Sequence, residues 1–252
     1  MRAMLRPLTH AALAAALFTV LAPAGHAGAP LHAATLARLA PDADRGVLAL
    51  ALGAMRCAQN HGIAMDAERL AVIDYRRPSL EPRLWVFDLT ERKLLYEEHV
   101  AHGQGSGHNF ARRFSNRSGS HESSLGLFVT GGTYTGRNGY SLRMQGLEAG
   151  VNDQAQARAI VMHGASYVDP HAGHAMGRLG RSWGCPAVRN IVAQPMIDTL
   201  KGGQFVFAYY PDEDWLRRSS FLHCGAVGTQ TAAGRRAVSE TTEGRPLLAA
   251  PR

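Results

Sequence analysis

Two short stretches determine how this sequence is interpreted. Residues 160–164 read Ile-Val-Met-His-Gly, and residues 182–186 read Ser-Trp-Gly-Cys-Pro. The first is an apolar, β-branched run that ends in His163, which is typical of a strand end. The second places Cys185 directly after Gly184, where the missing Cβ lets the backbone approach a substrate closely. A base at a strand end and a thiol on a tight loop are the two groups that a cysteine acyl-transfer enzyme needs.

The surroundings of Cys185 favour a reactive thiol over an inert buried one. A thiol becomes a useful nucleophile when nearby positive charge lowers its pKa. Arg178, Arg181 and Arg189 flank it in the sequence. A short helix predicted to start after Pro186 would add the positive end of its dipole.

His163 can act as a base only if one tautomer is held in place. A backbone carbonyl can do this through the second ring nitrogen, and Asp169 or Asn190 are the alternatives. The pairing of His163 with Cys185 is therefore a hypothesis that the fold brings the two side chains together.

The chain carries 12 histidines, and a metal site is the alternative use for some of them. His171 and His174 stand three residues apart, and His163 with Cys185 would complete a set of four zinc ligands. No flanking helix pattern or glutamate base accompanies them, so no metal or cofactor is predicted. The others considered, expected to be solvated strand or loop residues, are His99, His102, His108 and His121.

The first 27 residues have the pattern of a secretory signal peptide. Arg2 and Arg6 precede an apolar run at 11–22, and small residues lead to a cleavage site after Ala27. The run is too short for a membrane span, and no later segment approaches the roughly 20 apolar residues that a span needs. The prediction is export to the periplasm or cell envelope, with no membrane span.

Composition limits the class of partner. The chain has 252 residues, a net charge of +7 and a pI of about 9.8. A basic exported protein suits an acidic polymer or a carboxylate-rich surface. Nucleic acid is not predicted as a partner, because no basic helix with interleaved aromatic residues is present. The oligomeric state stays open.

Three cysteines in an oxidising compartment imply one free thiol. Cys185 is the candidate for the free thiol, and Cys57 and Cys224 are a candidate disulfide pair. The alternative is three unpaired thiols, with Cys57 acting as a small apolar residue on a helix.

Short apolar runs separated by Gly, Pro, Asn and Asp predict a mainly β fold, a sandwich or barrel with a few short helices. A helix over 45–60, capped by Asp44, precedes the strands. The predicted strands are 70–75, 83–89, 93–101, 126–134, 140–147, 159–163 and 204–210, with a helix at 195–200 and long polar loops at 102–124 and 164–184.

Four segments are predicted. They are the signal peptide (1–27), an N-terminal segment with one helix (28–66, loose over 28–43), a catalytic domain (67–211) and a basic, flexible tail (212–252). The tail is assigned from its low content of large apolar residues.

The span from about residue 70 to residue 210 resembles the murein L,D-transpeptidase catalytic domain family. The family pattern is a His, an intervening stretch, and then Ser/Thr-His-Gly-Cys. His163 takes the first position, Ser182 the Ser/Thr position, and Gly184 with Cys185 the Gly-Cys position. Residues 123–128, Ser-Ser-Leu-Gly-Leu-Phe, are similar to the family's strand entry Thr-Pro-x-Gly-x-Phe.

The resemblance implies a β-rich domain with a cleft and a reaction on peptidoglycan stem peptides. It implies that Cys185 is the nucleophile, that His163 is the base, and that the Gly164 carbonyl orients the imidazole. The amides of Gly184 and Cys185 would form the oxyanion hole. The implied reaction is L,D-transpeptidation through a cysteine thioester.

Two residues depart from the family pattern. Trp183 stands where most members have His, as in a branch of the family, and Ala187 stands where many carry Arg. Recognition of a substrate carboxylate would then fall to Arg181 or Arg189. Two alternatives remain: a carboxypeptidase or amidase that hydrolyses stem-peptide linkages, and a catalytically silent wall-binding protein in which Trp183 has ended turnover.

Overall fold

A computed structural model describes residues 31–224 of this chain. The predicted signal peptide and residues 225–252 lie outside the described residues. The helices are α1 (Ala33–Leu39), α2 (Arg45–Asn60), α3 (Pro170–Met176), α4 (Asn190–Leu200) and α5 (Glu213–Arg218). The strands are β1 (Arg69–Asp74), β2 (Leu84–Asp88), β3 (Lys93–Glu98), β4 (Val100–Ala101), β5 (Gly126–Gly136), β6 (Gly139–Gly146), β7 (Val161–Gly164), β8 (Ala187–Val188) and β9 (Phe205–Tyr209).

One nine-stranded sheet organises the described chain, and the mainly β prediction is confirmed. The strand order is β3-β2-β1-β9-β5-β6-β7-β8-β4. The pairs β1–β9 and β7–β8 are parallel, and the other neighbours are antiparallel. Because β4 follows β3 after the single residue His99, one chain segment supplies both edge strands. The sheet is therefore nearly closed.

The core lies against the middle strands of this sheet. Every residue of β2 and β9 is buried, which explains why their sequences are continuous apolar runs without alternation. Helix α2 packs its apolar face on β1, β5 and β9. As predicted, Asp44 caps α2, accepting a hydrogen bond from the Val47 amide at 3.0 Å. None of the helices within residues 31–224 is long and apolar enough to cross a membrane.

Two helical segments differ from the sequence prediction. Residues 33–39, expected to be loose, form α1, because alanine and leucine favour a helix here and burial of Leu36 anchors one face of it. Helix α4 starts at Asn190 and contains Pro195, whereas the sequence predicts that Pro195 begins the helix.

The helix predicted directly after Pro186 is wrong. Ala187 and Val188 instead form β8, which pairs with both β4 and β7. Pairing on both sides satisfies the backbone groups of these two residues, so no helix dipole points at Cys185. The positive charge near its thiol has another source, described below.

The segment 212–224, predicted as part of the flexible tail, is anchored instead. Asp212 caps α5, Trp215 is buried, and the Trp215 indole Nε1 donates to Glu148 at 2.9 Å. Cys224 forms a disulfide with Cys57 of α2, one of the two arrangements that the sequence left open. Buried Trp215 and Phe221 and one covalent link hold this segment on the core.

Candidate active site

His163 lies at the end of β7, between β6 and β8. Its Nδ1–H donates to the Gly164 carbonyl at 2.9 Å, which leaves Nε2 as the acceptor. Burial lowers the pKa of His163 below its ordinary value, although the bond to Gly164 acts in the opposite direction. The imidazole is thus neutral at pH 7, as a general base must be. Asp169 instead caps α3 through the His171 amide.

Cys185 lies on the loop that leads into β8, with a buried side chain. Its thiol donates to the Ala159 carbonyl at 3.7 Å. Burial raises the pKa of Cys185, while the Val161 amide and the charge of Arg158 lower it. Across residues 31–224, no hydrogen bond joins this thiol to His163.

Ser182 closes the loop around the nucleophile. Its hydroxyl donates to the Cys185 carbonyl at 2.6 Å and accepts from the Gly184 amide at 3.1 Å. Gly184 has φ 120°, and a Cβ there would lie 2.8 Å from the Glu122 carbonyl oxygen. Only glycine fits this position. Because the Gly184 amide is engaged by Ser182, it is not free to serve as the predicted oxyanion donor in this arrangement.

The long loop 102–124 packs against the loop that carries Cys185. The Ser123 hydroxyl donates to the Gly184 carbonyl at 3.0 Å and accepts from the Gly103 amide at 3.0 Å. The Ser106 hydroxyl accepts from the Ser123 amide at 2.9 Å. These buried bonds fix the nucleophile loop to the loop below it. The serines of this polar loop therefore hold the loop that carries Cys185 in place.

One cavity of about 320 Å³ brings together most of the predicted site residues. Its lining residues are Arg137, Asn138, His163, Tyr167, Arg181, Ser182, Trp183 and Cys185. The sequence missed Arg137, Asn138 and Tyr167. Arg137 and Asn138 form the exposed turn between β5 and β6. Nothing in their sequence indicates that this turn lies next to the cavity.

Trp183 lies at the mouth of this cavity. It keeps 66% of its surface exposed and stacks on His121, with ring centroids 4.9 Å apart and planes 9° from parallel. The Gln104 amide contacts the His121 ring at 2.9 Å. Because Trp183 also lines the cavity, this stack is part of the candidate site.

Of the three arginines predicted near the thiol, only Arg181 lines the cavity. Its guanidinium donates to the Gly107 carbonyl at 2.7 Å. Arg189 forms a two-pronged ion pair with Glu98 of β3 and does not reach the cavity. Arg178 donates to the Leu179 carbonyl. The predicted role of Arg189 in recognising a substrate carboxylate is therefore not supported.

A second arginine lies buried behind this region. Arg83 donates to the carbonyls of Val100 and Arg77 and to Nδ1 of His102, at 2.8–3.0 Å. It also lies over the Tyr75 ring. Burial lowers its pKa to about 10 and lowers that of His102 to about 3. His102, which the sequence predicted to be solvated, is instead fully buried, and it accepts a hydrogen bond from the buried Arg83 guanidinium.

The other histidines do not form the zinc set considered above. His171 and His174 are exposed on α3 and do not line the cavity. Among the described residues, Cys57, His61 and Cys224 have ligand atoms within 4.8 Å of one another, but the disulfide occupies both sulfurs.

Comparison with known proteins gives one family. The model for the L,D-transpeptidase catalytic domain matches residues 39–209. This match includes α2, which the sequence places before the domain. No curated protein matches the chain.

Among solved structures, the chain is similar to an L,D-transpeptidase from Mycobacterium smegmatis (14% identity, TM-score 0.35, 57% of this chain and 59% of that chain). It is similar to one from Mycobacterium tuberculosis (12%, 0.33, 57% and 58%). A third, from Stackebrandtia nassauensis, has 13% identity and TM-score 0.33, with 71% of this chain and 88% of that chain covered. This chain spans less than two thirds of the two mycobacterial proteins.

Proposed function

Because this chain belongs to the L,D-transpeptidase catalytic domain family, we propose that it is an exported enzyme that transfers acyl groups of peptidoglycan stem peptides through Cys185. The observation that carries the proposal is that Cys185 and His163 line one cavity, while the Gly164 carbonyl holds the imidazole in the tautomer of a base. The proposed location is the periplasm or cell envelope.

The proposed reaction uses two proton transfers by His163. Nε2 of His163 takes the thiol proton, and the sulfur of Cys185 attacks the carbonyl at the L-centre of diaminopimelate. The Cys185 amide donates to the oxyanion. The imidazolium then protonates the nitrogen of the leaving D-alanine, and a thioester remains. An amine of a second stem peptide attacks this thioester, which restores the thiol and forms the cross-link.

The cationic walls of the cavity support a substrate rich in carboxylates. Arg181 lies on the nucleophile loop, and Arg137 lies on the β5–β6 turn. A guanidinium binds a carboxylate in a two-pronged geometry. We assign both to the carboxylates of the donor stem peptide, because Ala187 is buried in β8 and Arg189 is held by Glu98.

One observation favours a second candidate, a wall-binding protein without turnover. The thiol faces the Ala159 carbonyl, and burial raises its pKa. Attack on a substrate would require the thiol to turn toward His163. The hydrolytic alternatives share every residue of the proposed mechanism and differ only in the group that resolves the thioester.

Intact-protein mass spectrometry with a tetrapeptide muropeptide donor tests these candidates together. Acyl transfer predicts an adduct on Cys185 and release of D-alanine, both lost in Cys185→Ser and reduced at least about 100-fold in His163→Gln. His171→Gln, an exposed histidine on α3, is the control and should behave as wild type. D-alanine release by Cys185→Ala would refute the mechanism. Addition of an acceptor amine separates a cross-linked product from hydrolysis.

Trp183 supplies a separate test of binding. The other two tryptophans, Trp85 and Trp215, are buried, so Trp183 is the fluorophore that water contacts. Donor peptide should shift its emission to shorter wavelength, and Trp183→Phe should abolish the shift. Adduct formation without a spectral shift would remove Trp183 from the binding surface. A shift without any adduct would favour the wall-binding protein.

A further inference from the structure

Arg158 is a half-buried cation that lacks a carboxylate partner among residues 31–224. Its guanidinium donates to four neutral acceptors at 2.5–3.2 Å, which are the carbonyls of Ser115 and Glu122 and the hydroxyls of Ser120 and Ser124. The Glu122 carboxylate pairs with Arg113 instead, at 3.4 Å. Neutral acceptors hold the guanidinium in place, and the Glu122 carboxylate acts on its charge without forming an ion pair with it.

The same side chain lies next to the nucleophile loop. Nη2 of Arg158 is 3.5 Å from the position that a Cβ on Gly184 would occupy. The following residue, Ala159, has φ 53° and directs its carbonyl at the Cys185 thiol. A non-glycine residue with positive φ is strained, and such strain concentrates at functional sites. One turn thus presents a fixed cation and a carbonyl to the loop that carries the sulfur.

The other ionisable groups near the thiol are neutral side chains or arginines of the cavity wall. Burial raises the pKa of Tyr75 and of Tyr167 to about 12, so both hydroxyls are neutral. His163 is neutral until it accepts the thiol proton. Arg181 and Arg137 line the cavity, Arg137 exposed, and they are assigned above to the substrate. The charge that lowers the pKa of Cys185 is that of Arg158.

We propose that Arg158 is the counter-cation of the Cys185 thiolate, a positioning residue that favours the ionised nucleophile without touching the substrate. Ionisation breaks the S–H bond, and the proton passes to His163 or to water. The sulfur then carries a negative charge next to the Arg158 guanidinium, which has no ion-pair partner among the described residues. A buried anion is costly unless a cation compensates it, so this pairing decides how readily the thiol ionises. The inference rests on the proposed function only for the role of Cys185 as nucleophile.

The test measures ionisation of the thiol and needs no substrate. Cys185 is the free cysteine, because Cys57 and Cys224 are joined, so its alkylation by iodoacetamide can be followed by intact mass from pH 5 to 10. Arg158→Gln should raise the apparent pKa by about one unit and slow alkylation at pH 7 about tenfold. Arg158→Lys, which keeps the charge, should recover most of the rate.

Arg112→Gln is the matched control. Arg112 belongs to the same loop, but it is exposed and its guanidinium lies over the exposed Phe110 ring. Its removal should leave the thiol titration unchanged. Arg158→Met is a second neutral variant of similar length, for use if Arg158→Gln does not fold. A folded neutral variant with the wild-type titration curve would overturn the proposal, as would Arg158→Lys behaving like Arg158→Gln.

Failure here is distinguishable from failure of the proposed function. If the neutral Arg158 variants show the predicted shift in thiol titration but the wild type releases no D-alanine, the counter-cation proposal stands and the acyl-transfer proposal fails. If wild type releases D-alanine while neutral variants titrate like wild type, only the role of Arg158 fails.

Discussion

Arg83 and Arg158 are both arginines that the fold removes partly or fully from water, and their surroundings differ. Each is a cation without an ion-pair partner among the described residues, and each is held by backbone carbonyls. Arg83 is fully buried in the core against His102 and Tyr75, and it does not line the cavity. Arg158 is half-buried beside the loop of Cys185, the candidate nucleophile. The comparison teaches that burial alone does not give a cation a role at the site; a position beside the nucleophile does.

The largest expected effect separates the two arginines by stability. Arg83→Gln removes the donors to Val100 and Arg77 in the core and should lower the free energy of unfolding by about 3–5 kcal/mol. Arg158→Gln should cost less, about 1–2 kcal/mol, because water can reach its acceptors. Urea denaturation measures both. Arg117→Gln, an exposed arginine, serves as control. Equal losses at both sites would end the distinction between a structural and an electrostatic cation.

A smaller effect is expected at the link between the two regions. The Ser123 hydroxyl holds the Gly184 carbonyl and the Gly103 amide and contacts Tyr75, which packs on Arg83. Ser123→Ala should cost about 1–3 kcal/mol, because buried polar groups lose their partner.

The same variant should slow alkylation of Cys185, because the nucleophile loop loses its support. Thermal unfolding and alkylation rates measure the two effects, and Ser118→Ala on the exposed part of the loop is the control. Unchanged alkylation in a destabilised Ser123→Ala protein would show that the loop needs no support from below.

The last effect, which is small for each pH unit, is a pH dependence on the Arg83 side. The pKa of His102 falls to about 3, below its ordinary value of 6.5. Above pH 6.5 neither folded nor unfolded chain protonates it. Below pH 6.5 the unfolded chain gains a proton that the folded chain refuses, so stability falls by about 1.4 kcal/mol per pH unit. His163 and His99, whose pKa values are also lowered, add losses of the same sign.

Urea denaturation between pH 7 and pH 4 measures this slope. His102→Gln can accept from Arg83 and donate to the Gly107 carbonyl, so it should flatten the slope while keeping the contacts. His174→Gln, exposed on α3, should not change the slope. If His102→Gln keeps the wild-type slope, the acid sensitivity originates elsewhere.

The sequence predicts local features of this fold well. Short apolar runs marked the strands that became β1, β2 and β9, and Asp44 marked the start of α2, because burial and capping act within a few residues. The pairing of β8 with β4 and β7 depends on residues far apart in the chain, so the sequence predicted a helix there. The anchoring of 212–224 was missed for the same reason.

The site was predicted to the extent that its residues carry a motif. His163, Ser182, Trp183 and Cys185 line one cavity as the motif required, and Arg181 joins them. Arg158 was missed because it lies 27 residues before Cys185 in a polar stretch and looks like an ordinary surface arginine. Only the turn at Ala159 brings its guanidinium beside the thiol. Charge near a nucleophile is a property of space, which counting arginines along the chain does not capture.

The link between Cys57 and Cys224 has a practical consequence for making this protein. In a reducing cytosol the bond would not form, and the segment that contains α5 would be held to the core only by its non-covalent contacts, chiefly those of Trp215 and Phe221. Material produced in that way would lose the covalent closure of a loop 167 residues long, and its melting temperature should depend on added reductant. Preparations from oxidising and reducing hosts should therefore be compared before any activity is judged absent.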